Sequence, residues 1–103
     1  AVICGNPYLA VGAYLESISM GLDVPQDVSI VGYDDIEVMN HLPVSLTTVR
    51  VQSEQVGRNA ARYLMAMLED VPIDIPFQCD TEIVIRASSG PPSRKDNPAS
   101  PSL

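Results

Sequence analysis

Short apolar runs alternate with longer amphipathic segments along this chain. The runs have the length and β-branched content of buried strands. We predict four strands, over residues 1–4, 28–33, 45–51 and 81–86. Between them, apolar residues recur at helical spacing over residues 8–20 and 53–69. Because strands that alternate with helices tend to pair in parallel, the pattern predicts an α/β class with a mainly parallel sheet flanked by helices.

Both predicted helices have recognisable first residues. Asn6 is a favourable N-cap, Pro7 suits the first helical position, and Gly21 can end the first helix in the left-handed conformation. Ser53 is the expected N-cap of the second helix, with Glu54 in its first turn. This second helix should bury an apolar stripe formed by Val56, Ala60, Tyr63, Leu64, Met67 and Leu68.

Polar residues follow two of the predicted strands where each strand ends. Asn6 follows the first strand, and the acids Asp34 and Asp35 follow the second. Parallel strands end at one edge of their sheet, and open α/β sheets bind ligands at that edge. We therefore expect Asn6 and Asp34 to approach the same cleft if their strands are neighbours.

The two acids allow several interpretations. Either Asp34 or Asp35 could cap a short helical turn over residues 36–41, hold a metal, take part in acid–base catalysis or bind ligand hydroxyls. The third acid that a response-regulator-like magnesium site needs after the first strand is missing, and no catalytic Ser/His/Asp arrangement or phosphate-binding loop appears. We expect Asp35 to supply the cap, which leaves Asp34 for a ligand.

Charge disfavours nucleic acid and anionic membranes as partners of the chain itself. Residues 91–103 are rich in Pro and Ser, and we expect them to form a flexible tail. The remaining body has four arginines, no lysine and twelve acids, a net charge of 4 − 12 = −8. Phosphate binding needs clustered Lys and Arg, so the body is a poor surface for it.

The two cysteines indicate free thiols, with no metal or cofactor. Cys4 lies in an apolar run and Cys79 precedes another, as is common for buried thiols in a reducing compartment, although a disulfide is possible. No CxxC motif or His/Cys cluster is present. We expect no signal peptide and no membrane span, and the first residue, Ala1, suggests the interior of a longer chain.

Five segments, in this order, resemble bacterial transcription regulators of the lactose repressor type (the LacI/GalR family). They are CGN…A.GA at 4–13, GL.VP.DVSIVGYDD at 21–35, LTTVR at 46–50, VGRNAARYLMAML at 56–68 and TEIVIRASS at 81–89. The resemblance covers residues 1–89. It implies part of a two-lobed sensor domain of the periplasmic-binding-protein-like type, whose parent carries a helix-turn-helix headpiece that is absent here.

The resemblance also implies a division of the chain between the two lobes. Residues 1–50 would belong to the C-terminal lobe, and residues 51–78 would form a crossover helix segment of the other lobe. The sheet of that other lobe would be missing, so the helix would have lost the surface that its apolar stripe is patterned to cover. Residues 79–90 would return as a strand, before the tail at 91–103.

Residue roles implied by the resemblance concern the effector and the subunit contact. Asp34 matches the carboxylate that holds the effector, and Asn6 matches a position that often adds a polar contact. Val51 stands where many members have Gln, so we name no effector contact in the crossover. The first helix is apolar over most of its circumference, so its second apolar side is covered either by another helix of this chain or by a partner subunit. The resemblance places this helix and the segment 37–42 at a two-fold dimer interface, with candidate contacts Tyr8, Val11, Leu15, Met39 and Leu42.

The sequence thus predicts an effector-binding and dimerisation portion of a cytoplasmic regulator, with no enzymatic activity. Its parent would sense a small molecule such as a sugar or related metabolite and bind operator DNA only through the headpiece. A periplasmic sugar- or solute-binding protein of the same fold is the alternative. A piece of an α/β enzyme is a third possibility.

Overall fold

Four strands and three helices form an α/β structure in the computed structural model, which describes residues 1–74 and 78–92. The strands are β1 (Val2–Ile3), β2 (Ile30–Tyr33), β3 (Thr47–Val51) and β4 (Thr81–Val84). The helices are α1 (Pro7–Ser19), α2 (Val38–His41) and α3 (Ser53–Leu68). The sheet order is β1-β2-β3-β4; the first three strands are parallel and β4 is antiparallel to β3. The predicted α/β class with a mainly parallel sheet is confirmed.

Helix α1 begins and ends where local chemistry predicts. The Asn6 side chain accepts a hydrogen bond from the Leu9 amide at 2.8 Å, and Pro7 occupies the first turn. At the other end Gly21 has a φ of +76°. The Gly21 amide donates to the Ile18 carbonyl at 3.0 Å and the Leu22 amide donates to the Ser17 carbonyl at 2.9 Å. This pair of bonds is the Schellman arrangement that a C-terminal glycine permits.

The core lies where α1 and α2 meet the sheet. Its buried residues are Cys4, Ala10, Tyr14, Val24, Ile30, Met39 and Leu46. Gly32 permits the close approach, because a Cβ there would lie 2.8 Å from Met39 Cε and 3.1 Å from Ala10 Cβ. A larger residue at this position would therefore displace the end of the Met39 side chain and press against Ala10 on α1.

Met39 requires a correction to the predicted dimer interface. It is fully buried in the chain's own core and packs beside Gly32. It therefore offers no surface to a second subunit. The segment 37–42 has apolar residues on two sides, and its sequence does not reveal which side faces inward.

Helix α3 differs from its prediction at its first residue, and its apolar stripe is left uncovered. Gln52 is its N-cap residue, and Ser53 is the first helical residue, with its hydroxyl directed at the Val51 carbonyl at 3.5 Å. The predicted stripe is largely exposed, with Leu64 at 58% and Met67 at 68%. Along the helix only Asn59 is buried. The stripe is therefore not a buried face in this chain, because its sheet does not extend beneath α3.

Residues that follow β4 fasten β2 to β3. Ser88 is fully buried; its hydroxyl donates to the Ile30 carbonyl at 2.5 Å and accepts from the Thr47 amide at 2.8 Å. The Ser88 carbonyl in turn accepts from the Ile30 amide at 2.9 Å. The predicted flexibility of the tail concerns mainly residues 93–103, which lie outside the described part. Within residues 1–74 and 78–92, no helix is long and apolar enough to cross a membrane.

Candidate functional site

The ends of β1 and β2 bring Asn6 and Asp34 to one edge of the sheet. These strands are parallel neighbours, with Val2 opposite Ile30 and Ile3 opposite Val31. The last pair in this register is Ile3 and Val31, and Asn6 and Asp34 stand equally far beyond it along their own segments. Because parallel strands end at one edge of their sheet, this register directs both polar residues to the same edge. The condition for the predicted shared cleft is met.

Asn6 caps α1 through one of the two polar atoms of its side chain. Its Oδ1 is bonded to the Leu9 amide, whereas no bond to its Nδ2 is found within the described residues. The residue is exposed. Capping and ligand binding can therefore coexist here, because the amide nitrogen can still donate to an acceptor.

Asp34 has a backbone conformation that few non-glycine residues adopt. Its φ is +71°, in the left-handed region. Its amide donates to the Val49 carbonyl at 2.8 Å, and its carbonyl accepts from the Thr48 hydroxyl at 2.5 Å. Its Oδ1 accepts from the Asp35 amide at 2.9 Å, and Oδ2 has no bond within the described residues. One carboxylate oxygen therefore remains able to accept a hydrogen bond from a ligand.

Neither acid caps α2, contrary to the expectation for Asp35. The N-cap position of α2 is Glu37, which makes no side-chain cap bond. The Asp35 carboxylate instead binds Arg86, with Nη1 to Oδ1 at 2.9 Å and Nη2 to Oδ2 at 2.7 Å. Arg50 adds a contact from Nη2 to Oδ2 at 3.0 Å. Asp35 is therefore the centre of an ion-pair cluster.

Charge and hydrogen bonding keep Asp35 ionised. The bond from Arg86 is the largest cause that lowers the pKa of Asp35, and Arg50 acts in the same direction. Burial opposes both by raising the pKa, since it disfavours the charged form. The Asp35 and Arg86 side chains are only 14% and 11% exposed. A bidentate pair with this burial orients both side chains more firmly than a surface pair does.

Sequence reasoning missed both arginines of this cluster. Arg86 follows the antiparallel strand β4, so the rule that parallel strands end at one edge does not place it near Asp35. Leu46, Thr48 and Arg50 alternate along β3 and share one face of the sheet. That alternation is the one local signal that could have placed Arg50 on the side of Asp35.

The described residues hold no evident catalytic or metal-binding group. No cluster of three or more His, Cys, Asp or Glu that could hold a metal occurs among residues 1–74 and 78–92. Both cysteines are free thiols, as predicted; burial raises the pKa of Cys4, which makes it a poor nucleophile. His41 is exposed and lies 3.6 Å from Glu37 on the same short helix.

The predicted dimer contacts differ in their exposure. Tyr8 is 76% exposed and Leu15 is 56% exposed, while Val11 and Leu42 are half-buried and pack partly against the core. Leu9 and Ile18 add further exposed apolar surface to α1. Without Met39, the candidate interface is chiefly the outer side of α1.

A shallow apolar groove lies along α3, away from the sheet edge. It has a volume of about 410 Å³. Its lining residues are Val56, Asn59, Ala60, Tyr63, Leu64, Met67 and Cys79. The side-chain nitrogen Nδ2 of Asn59 lies 3.6 Å from Cys79 Sγ. The groove follows the apolar stripe of α3.

Comparison with known proteins identifies similar sequences and structures. Residues 1–89 match the family described as periplasmic binding protein-like domain. The HTH-type transcriptional repressor PurR of Vibrio vulnificus is 34% identical over 87 residues, which are 84% of this chain and 26% of that protein. The regulator MalR of Streptomyces coelicolor is 37% identical over 90 residues, 86% of this chain and 26% of that protein.

A solved structure extends the likeness to the fold. A LacI family transcriptional regulator from Mycobacterium smegmatis superposes with a TM-score of 0.79 at 33% identity, over 89% of this chain and 34% of that one. A LacI family regulator from Enterococcus faecium with bound ribose gives 0.78 at 26% identity, over 89% and 35%. The chain spans about a quarter of the length of the two curated relatives, 26% in each case.

Proposed function

The chain belongs to the periplasmic binding protein-like domains and is part of the sensor of a LacI/GalR-type transcription regulator, and from this premise we propose that it supplies effector-binding and dimerisation surfaces. Its role is binding rather than catalysis. The observation that carries the proposal is the shared sheet edge, where Asn6 and Asp34 follow neighbouring parallel strands. Asp34 keeps one carboxylate oxygen without a bond among the described residues.

The effector that suits this edge is a small neutral molecule with hydroxyl or amine donors, such as a sugar or a nucleobase-like compound. The Asp34 carboxylate accepts hydrogen bonds, and the amide of Asn6 can donate one. Arg50 and Arg86 both bind Asp35, so neither directly neutralises Asp34. An anionic effector would meet an uncompensated carboxylate. The ribose bound to the Enterococcus faecium regulator supports a hydroxyl-bearing ligand.

Operator recognition belongs, in this proposal, to another part of the regulator. The family resemblance supplies a headpiece for DNA, and the acidic body of this chain, with four arginines and twelve acids over residues 1–90, is unsuited to phosphate. The regulator acts in the cytoplasm as a homodimer joined through α1. The same proposal assigns residues 1–50 and 79–90 to one lobe and residues 51–78 to the other.

A periplasmic solute-binding protein was the alternative, and the relatives described above favour the regulator. PurR and MalR are named as transcription regulators, as are both solved structures. The discriminating observation is the gene upstream of residue 1. A DNA-binding headpiece there supports the regulator, whereas a secretion signal supports the alternative.

The effector site is tested by substitution in the regulator that contains this chain. A thermal-shift panel of pentoses, hexoses and nucleobases first identifies a ligand, and calorimetric titration then compares wild type with Asp34→Asn. We expect at least about tenfold weaker binding, since a hydrogen bond to a charged acceptor contributes about 1.5–3 kcal/mol. The control Glu69→Gln removes an exposed charge at the end of α3 and should leave affinity unchanged. Equal affinity in Asp34→Asn would refute the site.

A further inference from the structure

The consecutive acids Asp34 and Asp35 have opposite surroundings. Asp34 lies at the sheet edge with one carboxylate oxygen unbonded among the described residues. Asp35 is held over the sheet by two arginines, with a side chain that is 14% exposed. The backbone leaves the extended conformation of β2 between these two surroundings. The φ of +71° at Asp34 marks that departure.

Asp34 needs support from its neighbours, because a left-handed conformation is unfavourable for a residue with a Cβ. Two bonds from β3 hold its backbone: the Val49 carbonyl accepts from its amide, and the Thr48 hydroxyl donates to its carbonyl. Both bonds are made by Asp34's own backbone groups, and neither involves the backbone of Asp35. Beyond Asp34 the chain is held by the bond from the Asp35 amide to Asp34 Oδ1 and by the bonds of the Asp35 side chain to the arginines.

Arg86 holds Asp35 in a geometry that only a guanidinium can give. Its two terminal nitrogens each donate to one Asp35 oxygen, at 2.9 and 2.7 Å, and Nη1 also donates to the Leu46 carbonyl at 3.0 Å. The Arg86 amide is bonded to the Thr47 hydroxyl at 2.9 Å. Arg86 is thus anchored to the first residue of β3 through its backbone and to the residue before β3 through its side chain. A planar donor fixed in this way restricts where the Asp35 carboxylate can lie.

We propose that Arg86 is a positioning residue for the effector site: by clamping Asp35, it keeps Asp34 in the left-handed conformation and its free carboxylate oxygen at the sheet edge. This inference rests on the proposed function only in taking Asp34 as the effector contact. Arg86 itself does not touch the effector. Arg50 assists from the side of β3, but it is 44% exposed and shares its guanidinium with Glu82 at 3.6 Å.

The clamp also joins the effector loop to the strand that precedes Arg86. Since β4 pairs along β3 from Thr81 to Val84, a displacement of β4 would pull on Asp35 through Arg86. We therefore expect the loop that presents Asp34 to be coupled to the part of the chain that returns from α3. The coupling would be carried by the partly buried Asp35–Arg86 ion pair and would not depend on a ligand.

The clamp can be tested on the chain without any effector. Amide hydrogen exchange, measured by NMR, is compared among wild type, Arg86→Lys, Asp35→Asn and the control Arg58→Lys. Lys at position 86 keeps the positive charge but cannot bind both carboxylate oxygens at once as a planar guanidinium does. Asn at position 35 keeps the shape of the side chain but removes its negative charge. Arg58 pairs with Glu54 at 2.6 Å on the exposed side of α3, so its substitution should change nothing at the loop. We expect the Asp34 and Asp35 amides to exchange at least about tenfold faster in the first two variants.

Core amides and carbon shifts separate positioning from general stability. The amides of Cys4 and Ile30, bonded to Val31 and Ser88, should keep their protection in both variants, and the Cα and Cβ shifts of Asp34 should lose their left-handed values. Unchanged loop exchange would overturn the proposal. So would equal acceleration of loop and core, or unfolding of both variants, because Arg86 would then merely stabilise the fold. If Asp34→Asn left effector affinity unchanged, the proposed function would fail while this result stood.

Discussion

The two long helices of this chain use their apolar residues very differently. Helix α1 buries Ala10 and Tyr14 against the sheet, in contact with the core around Ile30. Helix α3 has the clearer amphipathic pattern, yet Leu64 is 58% exposed and its apolar stripe borders an open groove. An apolar stripe shows which side of a helix avoids water, but the covering surface must come from elsewhere. Stability should accordingly reside in the α1 half.

The largest expected effect is the difference in unfolding free energy between truncating a leucine in the core beside α1 and truncating one on α3. Leu46→Ala removes a fully buried side chain and should lower the free energy of unfolding by about 2–5 kcal/mol. Leu64→Ala removes an exposed side chain from α3 and should change it by less than about 0.5 kcal/mol. Urea unfolding followed by circular dichroism measures both. Similar losses would mean that α3 is as well covered as the core.

Association provides the second test of the comparison. Leu15 is 56% exposed on α1, on the surface proposed to form the dimer. Leu15→Asp should release monomers in analytical ultracentrifugation, because an unpaired carboxylate is costly to bury at an interface. Leu64→Asp on α3 is the matched control and should leave the dimer intact. A wild-type chain that is monomeric at high micromolar concentration would refute the α1 interface.

The smallest expected effect is the loss of stability when a side chain at the start of α1 or of α3 is removed. Asn6→Ala removes a cap bond of 2.8 Å and should destabilise the chain by about 1 kcal/mol. Ser53→Ala removes a hydroxyl that does not cap α3 and should cost less than about 0.5 kcal/mol. Thermal unfolding of the two variants against wild type gives the difference. Equal costs would show that the Ser53 hydroxyl supports α3 after all.

Local rules predicted the parts of the fold that depend on neighbours in sequence. The cap at Asn6 and the left-handed Gly21 follow from bonds that span three to five residues, and both are confirmed. The prediction of Ser53 as the N-cap is wrong by one residue, because Gln52 occupies the N-cap position and Ser53 is already helical. Such boundary errors are small because local geometry allows either residue.

Long-range contacts explain what sequence reasoning could not predict. The Asp35–Arg86 pair joins residues 51 positions apart through an antiparallel strand, and no local pattern encodes that approach. Met39 lies inward because Gly32 leaves space for it, a fact that depends on how α1, α2 and β2 pack together. The edge shared by Asn6 and Asp34 was predictable because parallel topology alone determines it. Their proposed contact with an effector remains a prediction.

The buried Ser88 has a consequence for the order in which this chain can fold during synthesis. Ribosomes release β2 and β3 well before Ser88, which bonds to Thr47 from 41 residues further along. Until it arrives, the amides of Ile30 and Thr47 lack their native acceptors, and the adjoining ends of β2 and β3 remain open to water. A nascent chain can therefore form α1 early, as local contacts allow, but it completes the sheet only after Ser88 leaves the exit tunnel.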